Sequence, residues 1–345
     1  MPTFIVPFSK NSKVKNYTLS LFLFLLPGLS FAQSRLDTLV QEGIALHDAG
    51  RYAEAIATYE KGLKVAPNDP LLHYEIAYSH YAAQDHAAAI VHANKVLKQK
   101  DQYLKEAYLI KGSALDNQGK TKAALKTYAK GIKAFPDSYL LPYNAGLTNY
   151  RTQDYELAEM HLIKGIEINP DHSSSHYLLA TLKAEQGERV PALLALYLFL
   201  FLEPDSERSA DAWSLLTQLL HRGVSREDAR TINISVEMLE DKNEFSALDL
   251  LIPLMIAGNS TEENADKTPE ELFVENTQAI FSMLGNEEGK KGVWWEVYAP
   301  FFTSIDDAGH TEAFCYYLSQ AKGEAVTTWL EANPEKLEAF GKWLQ

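Results

Sequence analysis

Small residues recur along the first two thirds of the chain with a period of about 34 positions. One small residue returns at intervals of 34, 35, 34 and 34, at Gly43, Ala77, Gly112, Gly146 and Ala180. An alanine follows each of them after twelve positions, at Ala55, Ala89, Ala124, Ala158 and Ala192. Small side chains let two helices approach closely. The pattern therefore predicts five pairs of antiparallel helices over residues 33–206.

Turn residues separate these predicted helices. Glycine marks the turn inside three of the pairs, and glutamine takes its place in the other two, at Gln84 and Gln153. Proline closes four of the five pairs, at Pro67, Pro136, Pro170 and Pro204. Proline ends helices because its φ is fixed and it has no N–H. The second pair departs most from the pattern, with Ala93, Val96 and Asp101 in place of the usual residues.

The stretch from Gly50 to Pro67, with its alanine, aromatic and glycine at fixed offsets, resembles the tetratricopeptide repeat. This resemblance implies a right-handed α-solenoid in which the first helix of each pair lines a concave groove. The family's groove positions hold mainly tyrosine here. The implied peptide-binding residues are Tyr74, Tyr78, Tyr81, Tyr143, Tyr150, Arg151 and Tyr177. The alternative is that these rings stack one unit on the next, as aromatic residues at helical spacing commonly do.

Some members of the family hold a partner's terminal carboxylate with cationic and amide side chains on this wall. The corresponding positions here are Val40, Ile44, Glu75, Glu106 and Ile110. That recognition chemistry is therefore absent. The groove instead combines tyrosines with acidic residues, so we expect a protein or peptide partner that is apolar or basic.

Helical patterns continue after the repeats. Residues 207–222 form a predicted capping helix, with Ala210, Trp213, Leu216 and Leu219 on one face. Residues 223–345 form a predicted C-terminal helical domain of about six helices. Capping-box spacings occur at Ser225 to Asp228 and at Thr268 to Glu271. Long runs of alternating β-branched residues are missing, so the predicted fold class is all-α.

The first 32 residues contain three lysines, no acidic residue, a short apolar run and a closing Ser30-Phe31-Ala32. This order is typical of a secretory signal peptide, with cleavage expected after Ala32. An uncleaved membrane anchor is the alternative. We expect an exported chain, periplasmic or extracellular, with no stable membrane insertion after cleavage.

Charge and cysteine content narrow the possibilities further. The formal net charge of −14 argues against nucleic acid as a partner, since such binders need cationic surfaces to displace counterions. Cys315 is the single cysteine, so no intrachain disulfide is possible. The fold must depend on packing alone.

Candidate chemistry is sparse. His73, His80, His86 and His92 could meet between two helices, but their spacing is not that of a zinc site. Cys315 could be paired with His310 as a nucleophile and its base, yet nothing in the sequence suggests an oxyanion site. We therefore expect no catalytic residue, no metal and no cofactor.

The predicted function is that of an exported, non-enzymatic interaction module that binds a peptide or protein in the groove of its repeats. Two alternatives remain open. One is an assembly scaffold that self-associates through the aromatic-rich C-terminal region. The other is an enzyme or enzyme subunit with its site in residues 223–345.

Overall fold

The computed structural model describes residues 27–99, 102–227, 231–235, 244–259, 261, 264–285, 290–320 and 322–345. These residues form seventeen α-helices, one π-helical segment and one two-stranded sheet. The predicted all-α class is confirmed. Across this described part of the chain, no helix has both the length and the apolar character that crossing a bilayer requires.

The first ten helices form five antiparallel pairs in a right-handed α-solenoid, here called the repeat array. They are α1 (Pro27–Asp48), α2 (Tyr52–Leu63), α3 (Pro70–Ala82), α4 (His86–Leu97), α5 (Leu104–Asn117), α6 (Thr121–Ala134), α7 (Leu140–Arg151), α8 (Tyr155–Ile168), α9 (Ser173–Glu185) and α10 (Arg189–Leu202).

Complementary volumes hold the two helices of each pair together. A Cβ added to Gly43 would lie 2.2 Å from the ring of Tyr59, and one added to Gly112 would lie 2.3 Å from that of Tyr128. Each ring thus occupies the space that the glycine leaves. The second pair uses Ala77 and Ala93 at the equivalent places, and both are fully buried. Ala93, a departure from the sequence pattern, compensates for the larger residue opposite it.

The turns inside the pairs require a left-handed backbone conformation. Gly50 adopts φ 72° there, and the glutamines at the same place in two other pairs adopt nearly the same angle, 62° at Gln84 and 61° at Gln153. Glycine reaches this region without steric cost, whereas glutamine does not. The repeat geometry therefore fixes the turn even where the residue does not favour it.

The array curves toward its first helices. Helices α1, α3, α5 and α7 each contact the first helix of the next pair, whereas each second helix packs mainly on its own partner and on the first helix that follows. The inner face of the curve consequently carries side chains of the first helices.

The chain continues after the array with a helix, a hairpin and six further helices. They are α11 (Glu207–His221), the antiparallel strands β1 (Val224–Arg226) and β2 (Ile232–Ile234), α12 (Ser246–Gly258), α13 (Pro269–Leu284), the π-helical segment Trp294–Tyr298, α14 (Ala299–Asp307), α15 (Thr311–Leu318), α16 (Glu324–Ala332) and α17 (Pro334–Trp343). Helix α10 packs on α11, α12, α15 and the π-helical segment.

The predicted capping boxes have opposite outcomes. Thr268 caps α13, with its side chain accepting from the Glu271 N–H while Glu271 accepts from the Thr268 N–H. The interpretation of Ser225 to Asp228 as a helix start is wrong, because Ser225 pairs with Asn233 in the hairpin. Proline follows Thr268 at the first helical position and favours a helix start there, whereas no proline follows Ser225.

The predicted signal peptide lies largely outside the described residues, which begin at position 27. Residues 27–32 belong to the first turns of α1, and the helix runs past Ala32 without a break. Cleavage after Ala32 stays a prediction.

Candidate functional site

Four rings form a stacked series on the inner face of the array, here called the aromatic row: His47, Tyr78, Tyr74 and Tyr103. The ring centroids of His47 and Tyr78 are 4.5 Å apart, and those of Tyr74 and Tyr103 are 5.3 Å apart. Tyr74 and Tyr78 lie one turn apart on α3 with centroids 6.2 Å apart and nearly parallel planes. The row therefore crosses three consecutive pairs of helices.

The members of the aromatic row are half-buried, so part of each ring stays accessible. Burial raises the pKa of the Tyr74 hydroxyl well above its usual range, and the nearby carboxylates Glu75 and Glu106 act in the same direction. Burial likewise raises the pKa of Tyr78. Both phenols are consequently neutral hydrogen-bonding groups at physiological pH.

Two incompletely satisfied carboxylates accompany the row. Glu75 accepts a long hydrogen bond, 3.4 Å, from the Tyr59 hydroxyl. Burial raises the pKa of Glu75 to about 7, with Asp48 adding repulsion. In Glu106, Oε1 lies 3.6 Å from Lys105 Nζ, while Oε2 is buried with no hydrogen-bond partner among the described residues. A buried carboxylate oxygen without a donor is unfavourable, so this part of the inner face suits a positively charged group.

Other predicted groove residues join neighbouring pairs. The Asn117 amide donates to the Tyr81 hydroxyl at 3.2 Å, Arg151 forms a 3.1 Å ion pair with Asp116, and the Tyr150 hydroxyl donates to Glu185 at 2.6 Å. Partners in these links are 35 or 36 residues apart. They occupy the ends of successive first helices and fix the register of one pair on the next.

The two remaining predicted residues, Tyr143 and Tyr177, belong to the fourth and fifth pairs. The Tyr143 ring meets His172 edge-on, with centroids 4.8 Å apart. Tyr177 lies against Phe199 at 4.8 Å, with the Arg208 guanidinium 5.8 Å from the centre of its ring. The structure thus brings Tyr74 and Tyr78 together in the aromatic row. The other three predicted tyrosines, Tyr143, Tyr150 and Tyr177, lie outside this row, in the fourth and fifth pairs.

Sequence reasoning missed two members of the row. Tyr103 lies just before α5, next to the extra residue of the second unit, so the repeat register did not assign it to the groove. His47 occupies the same repeat position as Tyr81, 34 residues earlier, and this equivalence was a usable signal.

Two of the four histidines in the second pair contact each other. His73 and His92 share a 3.2 Å contact between their Nδ1 atoms, and His73 Nε2 donates to the Pro67 carbonyl at 3.1 Å. Burial lowers the pKa of His92 to about 4. The described residues include no group of three or more side chains suited to hold a metal ion.

The side chains of Cys315 and His310 pack against different residues. Cys315 is buried, and burial raises the pKa of its thiol well above the usual value. The His310 ring packs on Phe340 and Trp343, with centroids 5.7 and 5.5 Å away. This arrangement gives no support for a thiol nucleophile with a histidine base.

Comparisons with known proteins match the repeat array. A family model described as TPR repeat matches residues 43–84, and one described as tetratricopeptide repeat matches residues 110–173. No curated protein sequence matches the chain.

Solved structures with similar folds include PilF of Pseudomonas aeruginosa, at 18% identity, covering 55% of this chain and 90% of PilF with a TM-score of 0.45. TTC0263 of Thermus thermophilus is 20% identical over 54% of this chain and 98% of its own, with a TM-score of 0.44. YrrB, described as a TPR protein with an unusual peptide-binding site, is 16% identical over 51% and 90%, with a TM-score of 0.40. Residues 43–84 and 110–173 of this chain are therefore similar in sequence to tetratricopeptide repeats.

Proposed function

We propose that this chain is an exported, non-enzymatic interaction protein whose repeat array binds an extended segment of another protein along its inner face. The aromatic row beside Glu75 and Glu106 is the observation that carries the proposal. The segment it fits carries at least one lysine or arginine between apolar side chains.

The chemistry of the row matches such a segment. Aromatic faces attract cations and also bury methylene groups, and tyrosine loses little side-chain entropy on binding. The buried Glu106 oxygen and the desolvated Glu75 lie where a cation would relieve their cost. Val40 and Ile44 occupy positions where a carboxylate clamp would need polar or cationic groups. The negative charge of the site therefore favours a basic segment over an acidic one.

The negative charge of the whole chain also favours a basic partner. A formal net charge of −14 attracts basic partners and raises their association rate at low ionic strength. Added salt will weaken this contribution first.

The test is selection of a random dodecapeptide display library on the full chain, followed by titration calorimetry of the enriched peptides. We expect enrichment of lysine or arginine beside apolar residues. Tyr78→Ala should weaken these peptides about tenfold or more, because the ring lies at the centre of the row. Glu106→Gln should weaken basic peptides and leave apolar ones unchanged. Val91→Ala is the matched control, since Val91 is exposed on α4, a second helix.

The pKa of Glu75 sets the expected pH dependence. Its carboxyl is neutral below about pH 7 and charged above it. Affinity for a basic peptide should therefore rise as the pH increases through this value, and Glu75→Gln should remove the rise. Enrichment of acidic peptides, or equal binding by the Tyr78 and Val91 variants, would contradict the proposal.

Export has a separate test. If residues 1–32 are a cleaved signal peptide, the chain recovered outside the cytoplasm starts at Gln33, and mass spectrometry of its N-terminal peptide will show this. Retention of the full chain in the cytoplasm would exclude export without affecting the groove.

A further inference from the structure

A cavity of about 660 Å³ lies in the C-terminal half of the molecule, remote in sequence from the aromatic row. Helices α11, α13 and α15 form its walls, and residues of β1, α12, α16 and the segments just before α13 and just after α15 complete the lining. Its volume is within the range of pockets that hold small molecules. None of the predicted groove residues contributes to it.

One wall of the cavity is aromatic. The rings of Trp213 and Phe273 have centroids 5.0 Å apart, and both line the space. Tyr316 also lines it and is held by a parallel stack on Trp329, with centroids 4.0 Å apart. Rings that are fixed by their neighbours present a preformed surface, which suits a flat or branched apolar body.

A buried amide accompanies this apolar surface. Asn276 on α13 is 7% exposed and lines the cavity. Its side chain forms no hydrogen bond with the other described residues. Its amide atoms stay accessible, and a few polar groups in an otherwise apolar lining are typical of small-molecule pockets. A bound molecule with a polar group would supply the partner that the protein itself does not.

The lining also carries a cation without an acidic partner. Lys322 Nζ lies 5.5 Å from the centre of the Trp213 ring, and no carboxylate among the described residues forms an ion pair with it. Lys267 also lines the cavity but is bound by Glu275 at 2.6 Å. Of the two lysines in the lining, Lys322 is therefore the one that a ligand can engage.

The balance of charge in this lining differs from that of the chain. Arg226, Lys267 and Lys322 stand against Glu270, the acidic residue of the lining, in a protein whose formal net charge is −14. Because Glu275 already pairs with Lys267, Lys322 is the lysine of the lining whose charge is left for an anion.

We propose that this cavity binds a small amphipathic anion, with its apolar or aromatic body between Trp213 and Tyr316. The single carboxylate or sulfonate of such a molecule is held by Lys322, and the Asn276 amide donates to one of its oxygens. The site is independent of peptide binding by the repeats, so either can fail without the other.

The test uses two probes that share one ring system and differ in charge. 8-Anilinonaphthalene-1-sulfonate carries a sulfonate, and N-phenyl-1-naphthylamine carries none. Fluorescence titration of the full chain should show saturable binding of about one sulfonate probe per molecule. Lys322→Gln should weaken the sulfonate probe about tenfold and change the uncharged probe less than about twofold, because the substitution removes the charge but not the apolar walls.

Three further variants sharpen the result. Asn276→Leu should weaken the sulfonate probe severalfold, because leucine has the same number and branching of side-chain heavy atoms but donates no hydrogen bond. Lys290→Gln is the matched control, since Lys290 lies 4.1 Å from the centre of another tryptophan ring, that of Trp295, and does not line the cavity. Leu254→Ser tests whether the probes bind instead to the exposed apolar face of α12, where Leu254 lies. Circular dichroism at each titration temperature establishes that the variants are folded.

Equal affinity of the sulfonate probe for the Lys322→Gln and Lys290→Gln variants would overturn the proposal. So would non-saturable binding, or loss of the probe on Leu254→Ser, which would assign the fluorescence to the surface of α12.

Discussion

The repeat array and the C-terminal helices bury their apolar side chains in different ways. In the first three pairs the core consists of separate small clusters, each made by adjacent helices. From α8 onward one continuous cluster extends through α10 to α17. Three polar links between neighbouring pairs of the array join residues 35 or 36 apart, whereas the His176–Tyr298 hydrogen bond joins residues 122 apart.

This difference predicts two kinds of cooperativity. Each pair of the array is stabilised by its nearest neighbours, so local damage there should stay local. The large aromatic cluster makes contacts across long stretches of sequence, so damage there should spread over all helices that share it. The fourth and fifth pairs are part of the repeat array and also contribute residues to the large cluster, so damage in either region should affect them.

The largest effect is expected from Phe281→Ala. Phe281 is fully buried and stacks on Phe302 with centroids 4.6 Å apart, beside Tyr197 and Phe314. Its loss should lower the free energy of unfolding by about 3–5 kcal/mol. Hydrogen exchange measured by mass spectrometry should show reduced protection from α10 through α15 and unchanged protection of α1–α4.

Ile76→Ala is the counterpart in the array, where Ile76 is fully buried in the cluster of the first two pairs. It should reduce protection of α1–α4 and leave the C-terminal helices unchanged. Equal deprotection of both regions by either variant would show that the chain unfolds as one unit. The same experiment tests the predicted division into residues 33–206, 207–222 and 223–345.

A smaller effect is expected from Gly112→Ala. The new Cβ would lie 2.3 Å from the Tyr128 ring, which is buried and hydrogen-bonded to Ser113, so it cannot easily move. We expect a loss of about 1–3 kcal/mol in urea unfolding. Gly341→Ala is the control, because no atom lies within 4 Å of its added Cβ, and it should be neutral or stabilising by up to about 1 kcal/mol.

The double variant Gly112→Ala with Tyr128→Ala recreates the small pair that Ala77 and Ala93 form in the second unit. Its cost should be less than the sum of the two single costs, since removing the ring also removes the clash. Strict additivity would indicate that the glycine and the ring do not depend on each other.

Tyr298→Phe should have a more modest effect. The Tyr298 hydroxyl lies 2.6 Å from His176 Nδ1, and both residues are fully buried. Because His176 Nε2 donates to the Pro170 carbonyl, its Nδ1 accepts from the phenol. Removing the donor should cost about 1–3 kcal/mol in urea unfolding. Tyr317→Phe, whose hydroxyl has no hydrogen bond with the described residues, should cost little. Equal costs would refute a specific role for this bond.

The smallest effect is expected from Arg151→Gln. The ion pair with Asp116 is 3.1 Å long and its arginine is half-exposed, so we expect a loss of about 0.2–1 kcal/mol that decreases with added salt. Lys342→Gln, which breaks the exposed pair with Glu338, should have no larger effect. A salt-independent loss would mean that Arg151 acts through packing instead.

The array was predictable from sequence because its determinants are local. Gly43 and Ala55 mark close approach within one pair, and the same two marks return in every unit, so a single chain carries five repetitions of one signal. The inner-face positions of Tyr74 and Tyr78 follow from that register. Which ring stacks on which does not, since His47 and Tyr103 come from neighbouring units and Tyr103 lies outside any helix.

The C-terminal helices were predictable as helices but not as a packed structure. Their contacts join residues far apart in sequence and have no period. The cavity beside Asn276 has no local sequence signal, because its walls come from three helices that are separate in sequence. The hairpin was missed because Ser225 fits a capping pattern that, without a following proline, also occurs by chance.

Helix α10 has a consequence for biosynthesis. Every residue from Arg189 to Leu200 is buried, mostly by α9 and α11 and otherwise by later residues of α12, the π-helical segment and α15. A nascent chain that has just completed its fifth repeat would thus hold α10 against α9 while the rest of this apolar helix stays exposed to water. Until those later residues have left the ribosome, we expect the growing polypeptide to depend on a holdase chaperone. Premature termination there should yield aggregates instead of a shorter working protein.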